Sequence, residues 1–181
     1  QMMDIVHPVF RKCAENVICK LLEHTANVSC VIGFQIDNET KHYGTASPQV
    51  QRMFVEYLKT KFHTTEQLNE VFGLRYWSNS ISDWSDFPDM AGCIHGGLAC
   101  EFAKFQRSLA AEYLVWQSEL VKKYKRQDQF ITHNFDFEWK KFGADIAQDG
   151  YSYGVQPDIN HYEASKAVTI AGTDIYHPTQ D

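Results

Sequence analysis

An α/β fold with a parallel sheet is predicted here by three short strand-like runs, the helical periodicity that separates them, and the polar or acidic side chains on which each run ends. Strands that alternate with helices must pair in parallel through crossover connections, which are right-handed in nearly all proteins. Chemistry placed at the C-terminal ends of successive parallel strands suits a (β/α)8 barrel, although a doubly wound open sheet also binds ligands there. No Gly-rich phosphate loop follows any of the runs, which favours the barrel. Three strands are visible where eight close a barrel, so the expectation is a partial (β/α)8 TIM barrel.

The elements follow in order. Pro8 to His24 carries Val9, Cys13, Val17, Leu21 and Leu22 at steps of three and four, with Pro8 suited to a first helical turn. Val28 to Ile36 is too short for a helix of this apolarity and rich in β-branched residues. It reads as a strand buried on both faces and ending in Asp37-Asn38-Glu39. A helix over about Pro48 to Lys61 comes next, and Thr64 with Gln67 opens a second, short one that Gly73 stops after Phe72. Residues 74–97 hold Trp77, Trp84, Phe87 and Pro88 among Ser, Asn and Asp without a sustained period, and loops of that length are usually functional. From Leu98 the positions Phe102, Phe105, Leu109, Tyr113, Trp116 and Leu120 define a one-sided helix to about Tyr124 that should cover a sheet. Gln129 to Asn134 is the second strand, followed by a mixed segment through Trp139 and Ile146. A short helix near Tyr162 to Ser165 precedes the last strand-like runs, Ala167 to Ala171 and Gly172 to Tyr176.

Bulk properties narrow the function. With 181 residues, 44% hydrophobic and 14% aromatic, the chain has ample material for one buried core, and no repeat or linker marks a domain boundary. A net charge of -6 argues against nucleic acid, and the basic run Lys122 to Arg126 reads as the solvated end of a helix. No apolar stretch approaches the roughly 20 residues that span a bilayer, and Gln1-Met2-Met3-Asp4 does not open a signal peptide. Five cysteines without a CxxC pair fit reduced thiols in the cytoplasm. Cys93, His95 and Cys100 match no standard zinc spacing, so no metal and no cofactor is expected, and these residues read as packing cysteines and a loop histidine.

Glu39 is the candidate for chemistry. Glycosidic bonds are cleaved by two carboxyl groups, one protonating the leaving oxygen and the other attacking or stabilising the anomeric carbon. A carboxyl group at the mouth of an apolar strand is partly desolvated, and a second carboxylate nearby would further favour its protonated form. Asn38 can offer an amide to a sugar 2-hydroxyl, and the indoles of Trp77 and Trp84 suit the C–H face of a sugar ring. The same residues have plainer readings, since Asn-Glu after a strand is the composition of a turn or cap and both tryptophans suit a core.

Beyond these local signals the sequence resembles glycoside hydrolase family 42, the bacterial β-galactosidases, over nearly the whole chain. Val31-Ile32-Gly33-Phe34-Gln35-Ile36-Asp37-Asn38-Glu39 looks like that family's fourth strand with its Asn-Glu signature. Phe54 to Ser78, with Tyr57-Leu58-Lys59, Leu68-Asn69-Glu70 and Tyr76-Trp77-Ser78, looks like the helices that follow and the tryptophan lining the sugar subsite. Ile131-Thr132-His133-Asn134-Phe135 resembles the fifth strand and Thr173-Asp174-Ile175-Tyr176-His177-Pro178 the sixth.

The resemblance implies a retaining β-galactosidase that hydrolyses terminal β-D-galactosides by double displacement. It makes Glu39 the general acid/base, Asn38 the 2-hydroxyl partner, Trp77 a substrate wall and Tyr176 the neighbour of the nucleophile, with His133, Asn134 and Asp174 as further substrate-binding positions. Many members hold zinc with cysteines just after the acid/base residue, whereas here Thr40-Lys41-His42-Tyr43-Gly44-Thr45 has none, so no such site is expected. The family's first three strands would precede Gln1 and its nucleophilic glutamate would follow Asp181. Asp174 lies at a strand end, but the resemblance places it outside the nucleophile position. Residues 1–181 are thus expected to be a central fragment of one catalytic barrel, inactive alone, with exposed strand edges that favour association, and with homo-oligomerisation of the parent enzyme left open. The rival readings are a β-glucosidase, mannanase or cellulase of the same barrel clan, and a non-catalytic carbohydrate-binding module.

Overall fold

The computed structural model describes residues 4–93, 95–136 and 158–174. In chain order these form α1 (Pro8–Thr25), β1 (Gly33–Gln35), α2 (Pro48–Phe62), α3 (Thr65–Phe72), two 3-10 turns (Tyr76–Ser78 and Trp84–Asp86), α4 (Gly96–Lys122), β2 (Phe130–Asp136), α5 (His161–Ser165) and β3 (Ile170–Asp174). The mixed segment around Trp139 and Ile146, and the last run beyond Asp174, lie outside the described residues.

Local chemistry accounts for the helix ends. Pro8 and Pro48 occupy first-turn positions where a missing N–H costs nothing. His7, Ser47, Thr64, His95 and Asn160 each accept a backbone N–H of the first turn through the side chain. Gly73, at φ 62 and ψ 34, ends α3 in the left-handed conformation that glycine adopts without penalty. The long helix starts two residues before the expected Leu98, because His95 caps it and Gly96-Gly97 are its first residues.

The three strands form one parallel sheet in the order β1-β2-β3. Consecutive strands are spatial neighbours, and α1, α4 and α5 share a single core with the sheet. That sequential winding is the βα arrangement of a barrel wall, as expected. Alternate residues divide the faces. Ile36, Ile131 and Phe135 pack into a core with Leu22, Ala110, Leu114, Val121, Ile159 and Ala164. On the opposite face, Gln35 pairs in register with Thr132, Thr132 with Ile170, Asn134 with Gly172 and Asp136 with Asp174.

The first strand departs from expectation. Val28 to Val31 is not extended, β1 has three residues, and Ile32 is 68% exposed, so the run is not buried on both faces. Side chains nearly a hundred residues away explain this. Arg126 donates to the carbonyls of Ala26, Val28 and Val31, and Gln129 Nε2 donates to those of Ala26 at 3.0 Å and Val31 at 2.8 Å. Carbonyls satisfied in this way need no strand partner.

A second core lies to one side of the sheet, where Val50, Phe54, Leu58, Leu68, Leu74, Ile81 and Met90 meet the N-terminal half of α4 through Leu98, Phe102, Phe105 and Leu109. Phe54 is its centre, edge-on to Phe102 at 5.0 Å and to Phe87 at 5.9 Å, geometries that add roughly 0.5–1.5 kcal/mol each to burial. At 27 residues α4 is long enough to serve both cores.

Candidate active site

Immediately after β1 the chain makes a tight, strained turn. Ile36 N–H donates to Thr132 O at 2.9 Å and Glu39 N–H to Asn134 O at 3.0 Å, so the backbone stays hydrogen-bonded to β2 on both sides of Asp37-Asn38. Asp37 and Glu39 both adopt positive φ, 50° and 49°, a conformation costing a non-glycine residue about 1–2 kcal/mol. Several contacts hold it. Asp37 Oδ1 accepts Asn38 N–H at 2.9 Å and Oδ2 accepts Thr40 Oγ1–H at 2.7 Å, while Tyr43 OH donates to Glu39 O at 3.2 Å. The result is that Asn38 and Glu39 are presented together at the C-terminal edge of the sheet, Asn38 exposed and Glu39 half-buried.

Three amides meet there. Asn38 Oδ1 accepts from Gln35 Nε2 at 3.1 Å and from Asn134 Nδ2 at 3.2 Å. A carbonyl oxygen has two lone pairs, so both are used and the donor capacity of the Asn38 side chain lies in its NH2. Gly172, beside Asn134 on β3, makes room for this: a Cβ there would stand 3.0 Å from Asn134 Oδ1 and 3.0 Å from His133 O.

The expected site residues are only partly brought together. Asn38, Glu39 and Asn134 form one cluster, and Asp174 lies half-buried at the end of β3 on the same face as Asn134. His133 is elsewhere: it points to the helix side of the sheet and is 0% exposed. Its Nδ1 lies 2.6 Å from Ile36 O, and its Nε2 accepts Thr40 N–H at 3.4 Å. Burial is the largest influence on the ring and holds its pKa below the ordinary value, against the opposing pull of the Ile36 carbonyl and of Asp37 and Asp174. The backbone of Trp77 falls in the 3-10 turn Tyr76–Ser78; its indole and the whole of Tyr176 lie outside what the structure describes. Trp84 is half-buried against the second core, which is the packing role.

The segments flanking the turn are tied down by side-chain amides. Asn69 Nδ2 donates to Ile81 O and Asn69 Oδ1 accepts Ile81 N–H, both at 2.8 Å. Gln51 clamps the same loop at Pro88 O, 2.8 Å, and Met90 N–H, 3.1 Å. His42 Nε2 lies 3.3 Å from Asp158 Oδ1, and Gln106 Nε2 donates to Thr45 O at 2.6 Å, anchoring the segment after Glu39. Among the described residues no group of three His, Cys, Asp or Glu side chains converges as a metal site. Gln35, Asp37, Thr40 and Gly172 were not singled out from sequence. A glycine inside a strand signals a close approach, but Gln35, Asp37 and Thr40 act through contacts within a turn whose backbone path was not legible.

Comparison with known proteins bears on this cluster. The family model described as beta-galactosidase, that of glycoside hydrolase family 42, matches residues 1–178. The beta-galactosidase BglY of Alicyclobacillus acidocaldarius is 30% identical over 175 residues, which cover 93% of this chain and 22% of that protein. Beta-galactosidase BgaA of Clostridium cellulovorans is 30% identical over 127 residues, covering 68% of this chain and 19% of that protein. The solved structure of a catalytic mutant of Gan42B, a GH42 beta-galactosidase from G. stearothermophilus, superposes with a TM-score of 0.77 at 19% identity, over 98% of this chain and 25% of that one. The chain thus spans about a fifth of the length of the curated relatives it matches.

Proposed function

This chain belongs to glycoside hydrolase family 42, the beta-galactosidase family, and from that premise we propose that it carries the acid/base half of a retaining β-galactosidase active site. The observation that carries the reading is the double hold on Asn38 Oδ1 by Gln35 and Asn134, which leaves the Asn38 NH2 as the donor next to Glu39. Glu39 gives its proton to the glycosidic oxygen as a second carboxylate attacks the anomeric carbon, so the alcohol leaves and a galactosyl-enzyme forms. Water then attacks the same carbon, giving its proton to Glu39 and releasing galactose and the nucleophile. Asn38 donates to the 2-hydroxyl, a contact that strengthens as positive charge grows at the ring. Trp77 is assigned to a sugar-stacking wall, Tyr176 to the side of the nucleophile, and Asn134 and Asp174 to the substrate face.

In this reading β1, β2 and β3 are the fourth, fifth and sixth strands of the barrel, and the nucleophilic glutamate is supplied by polypeptide outside these 181 residues. The 181 residues alone are then inactive. The five cysteines, all unpaired, support a reducing, cytoplasmic setting.

The test is hydrolysis of a panel of nitrophenyl glycosides by the enzyme that carries this chain. Preference for the β-galactoside is expected, and preference for a β-glucoside or β-mannoside would overturn the substrate assignment. Sugar binding with no hydrolysis of any of them, unchanged in Glu39→Gln, would overturn the enzymatic one.

A further inference from the structure

We infer that His133 is a positioning residue for Asn38 and Glu39, acting through the backbone at both ends of the turn that carries them. The inference rests on the assignment of Glu39 as acid/base and extends it to a residue that faces away from the substrate side of the sheet.

The geometry is that of a rigid spacer. One ring nitrogen meets Ile36 O at 2.6 Å, the last carbonyl before the turn, and the other meets Thr40 N–H at 3.4 Å, the first amide after Glu39. A carbonyl can only accept and an amide N–H can only donate, so the proton resides on Nδ1 and the lone pair on Nε2. The imidazole is therefore neutral and uses both polar atoms on one turn, leaving none for a ligand.

Between those two anchors lie Asp37 and Glu39, both in the left-handed region. Such residues persist only where surrounding contacts over-determine them. The ring is itself fixed: it is fully buried, and Phe135 packs edge-on against it at 4.8 Å. Asn134, the next residue along β2, reaches the same turn from the other face through its backbone carbonyl to Glu39 N–H and its amide to Asn38. Two consecutive residues of β2 thus grip the turn from opposite faces of the sheet, and His133 sets the separation of its ends.

A displaced acid changes the rate most where the leaving group needs its proton. An activated dinitrophenyl galactoside leaves without proton donation, whereas an alkyl galactoside does not. In the enzyme that carries this chain, His133→Phe keeps the ring's bulk and removes both hydrogen bonds. It should lower kcat/KM for the alkyl galactoside about tenfold more than for the dinitrophenyl galactoside, as expected for a catalytic group shifted by a fraction of an ångström. His133→Gln, with one donor and one acceptor, should recover most of that difference. Equal slowing of both substrates in folded His133→Phe, or no recovery in His133→Gln, overturns the inference. Should His133→Phe not fold, His133→Asn, which keeps the donor to Ile36 but is too short for Thr40, carries the same comparison. Glu39→Ala, read in kcat/KM because that ratio reports the first displacement and not the later step in which Glu39 takes the proton of water, separates the two levels. If it spares neither substrate, the acid/base assignment itself is wrong; if it spares the dinitrophenyl galactoside and folded His133→Phe does not, only the positioning role of His133 fails.

Discussion

Asn134 and Asn38, 96 residues apart in sequence, join side chain to side chain at 3.2 Å across the end of the sheet. With Gln35 on the same oxygen, the pair sets the direction in which Asn38 can donate.

Removing the Asn134 amide should therefore weaken recognition of the sugar 2-hydroxyl in particular. For Asn134→Leu in the enzyme that carries this chain, the loss in transition-state stabilisation should be about 1 kcal/mol, or roughly fivefold in kcat/KM. A 2-deoxygalactoside should show almost none of that loss. Equal losses on both substrates would mean that Asn134 acts elsewhere.

Gly172 is the space that Asn134 occupies. Gly172→Ala brings a Cβ to 3.0 Å of Asn134 Oδ1 and of the rigid His133 carbonyl, and overpacking of this kind costs about 1–3 kcal/mol. Denaturant unfolding should show the loss. Combining it with Asn134→Ala should recover only the part due to the side chain, because the backbone clash remains.

Arg126 holds three carbonyls of the segment before β1. Arg126→Ala should destabilise by about 2 kcal/mol, the scale of charge-assisted bonds lost. Arg126→Lys should recover less than half, since an ammonium cannot span that fork of acceptors. Limited proteolysis should then cut between residues 26 and 32, and resistance there would contradict the anchoring role.

Two groups give acid sensitivity at different pH. Burial depresses the pKa of His133 in the folded chain below its ordinary 6.5. The unfolded chain binds that proton first, so stability is full above about 6.5 and falls as pH drops through the lower folded value. Glu101 is 5% exposed, and burial alone would raise its pKa. Lys61, Tyr57 at 2.5 Å and Lys104 outweigh that and lower it below the ordinary 4.5. Its contribution is present above about 4.5 and lost below. Unfolding free energy against pH should show both steps, the upper absent in His133→Gln and the lower in Glu101→Gln.

The helices were legible because their signals are local. Pro8, Thr64 and Gly73 mark ends through atoms within four residues. The polar ends of the strands also pointed to Asn38, Glu39, Asn134 and Asp174, of which Asn38 and Asn134 are bonded to each other and Asp174 shares the face of Asn134. The extent of β1 was not legible, since the donors that replace its ladder, Arg126 and Gln129, come from beyond α4. His133 lies on the side opposite to the expected one, although the alternation Ile131-His133-Phe135 already sets it on the apolar face; what is not local is that Ile36 O and Thr40 N–H satisfy its ring there. Read alone, a histidine between two polar residues at a strand end looks like a ligand-binding group; in the sheet it turns inward beside Phe135.

The helix α4 belongs to both cores at once, Leu98 to Leu109 in one and Ala110 to Val121 in the other. Each residue of a helix advances the next by about 100°. Deleting or inserting one residue near Leu109 would rotate one apolar face by that angle against the other and leave one core facing water. Length changes at 41–46 or 82–92 would disturb single loop contacts, such as Gln106 on Thr45 O and Gln51 on Pro88 O and Met90 N–H. Such changes are intolerable in the middle of α4, which makes this helix the ruler against which the rest of the chain is spaced.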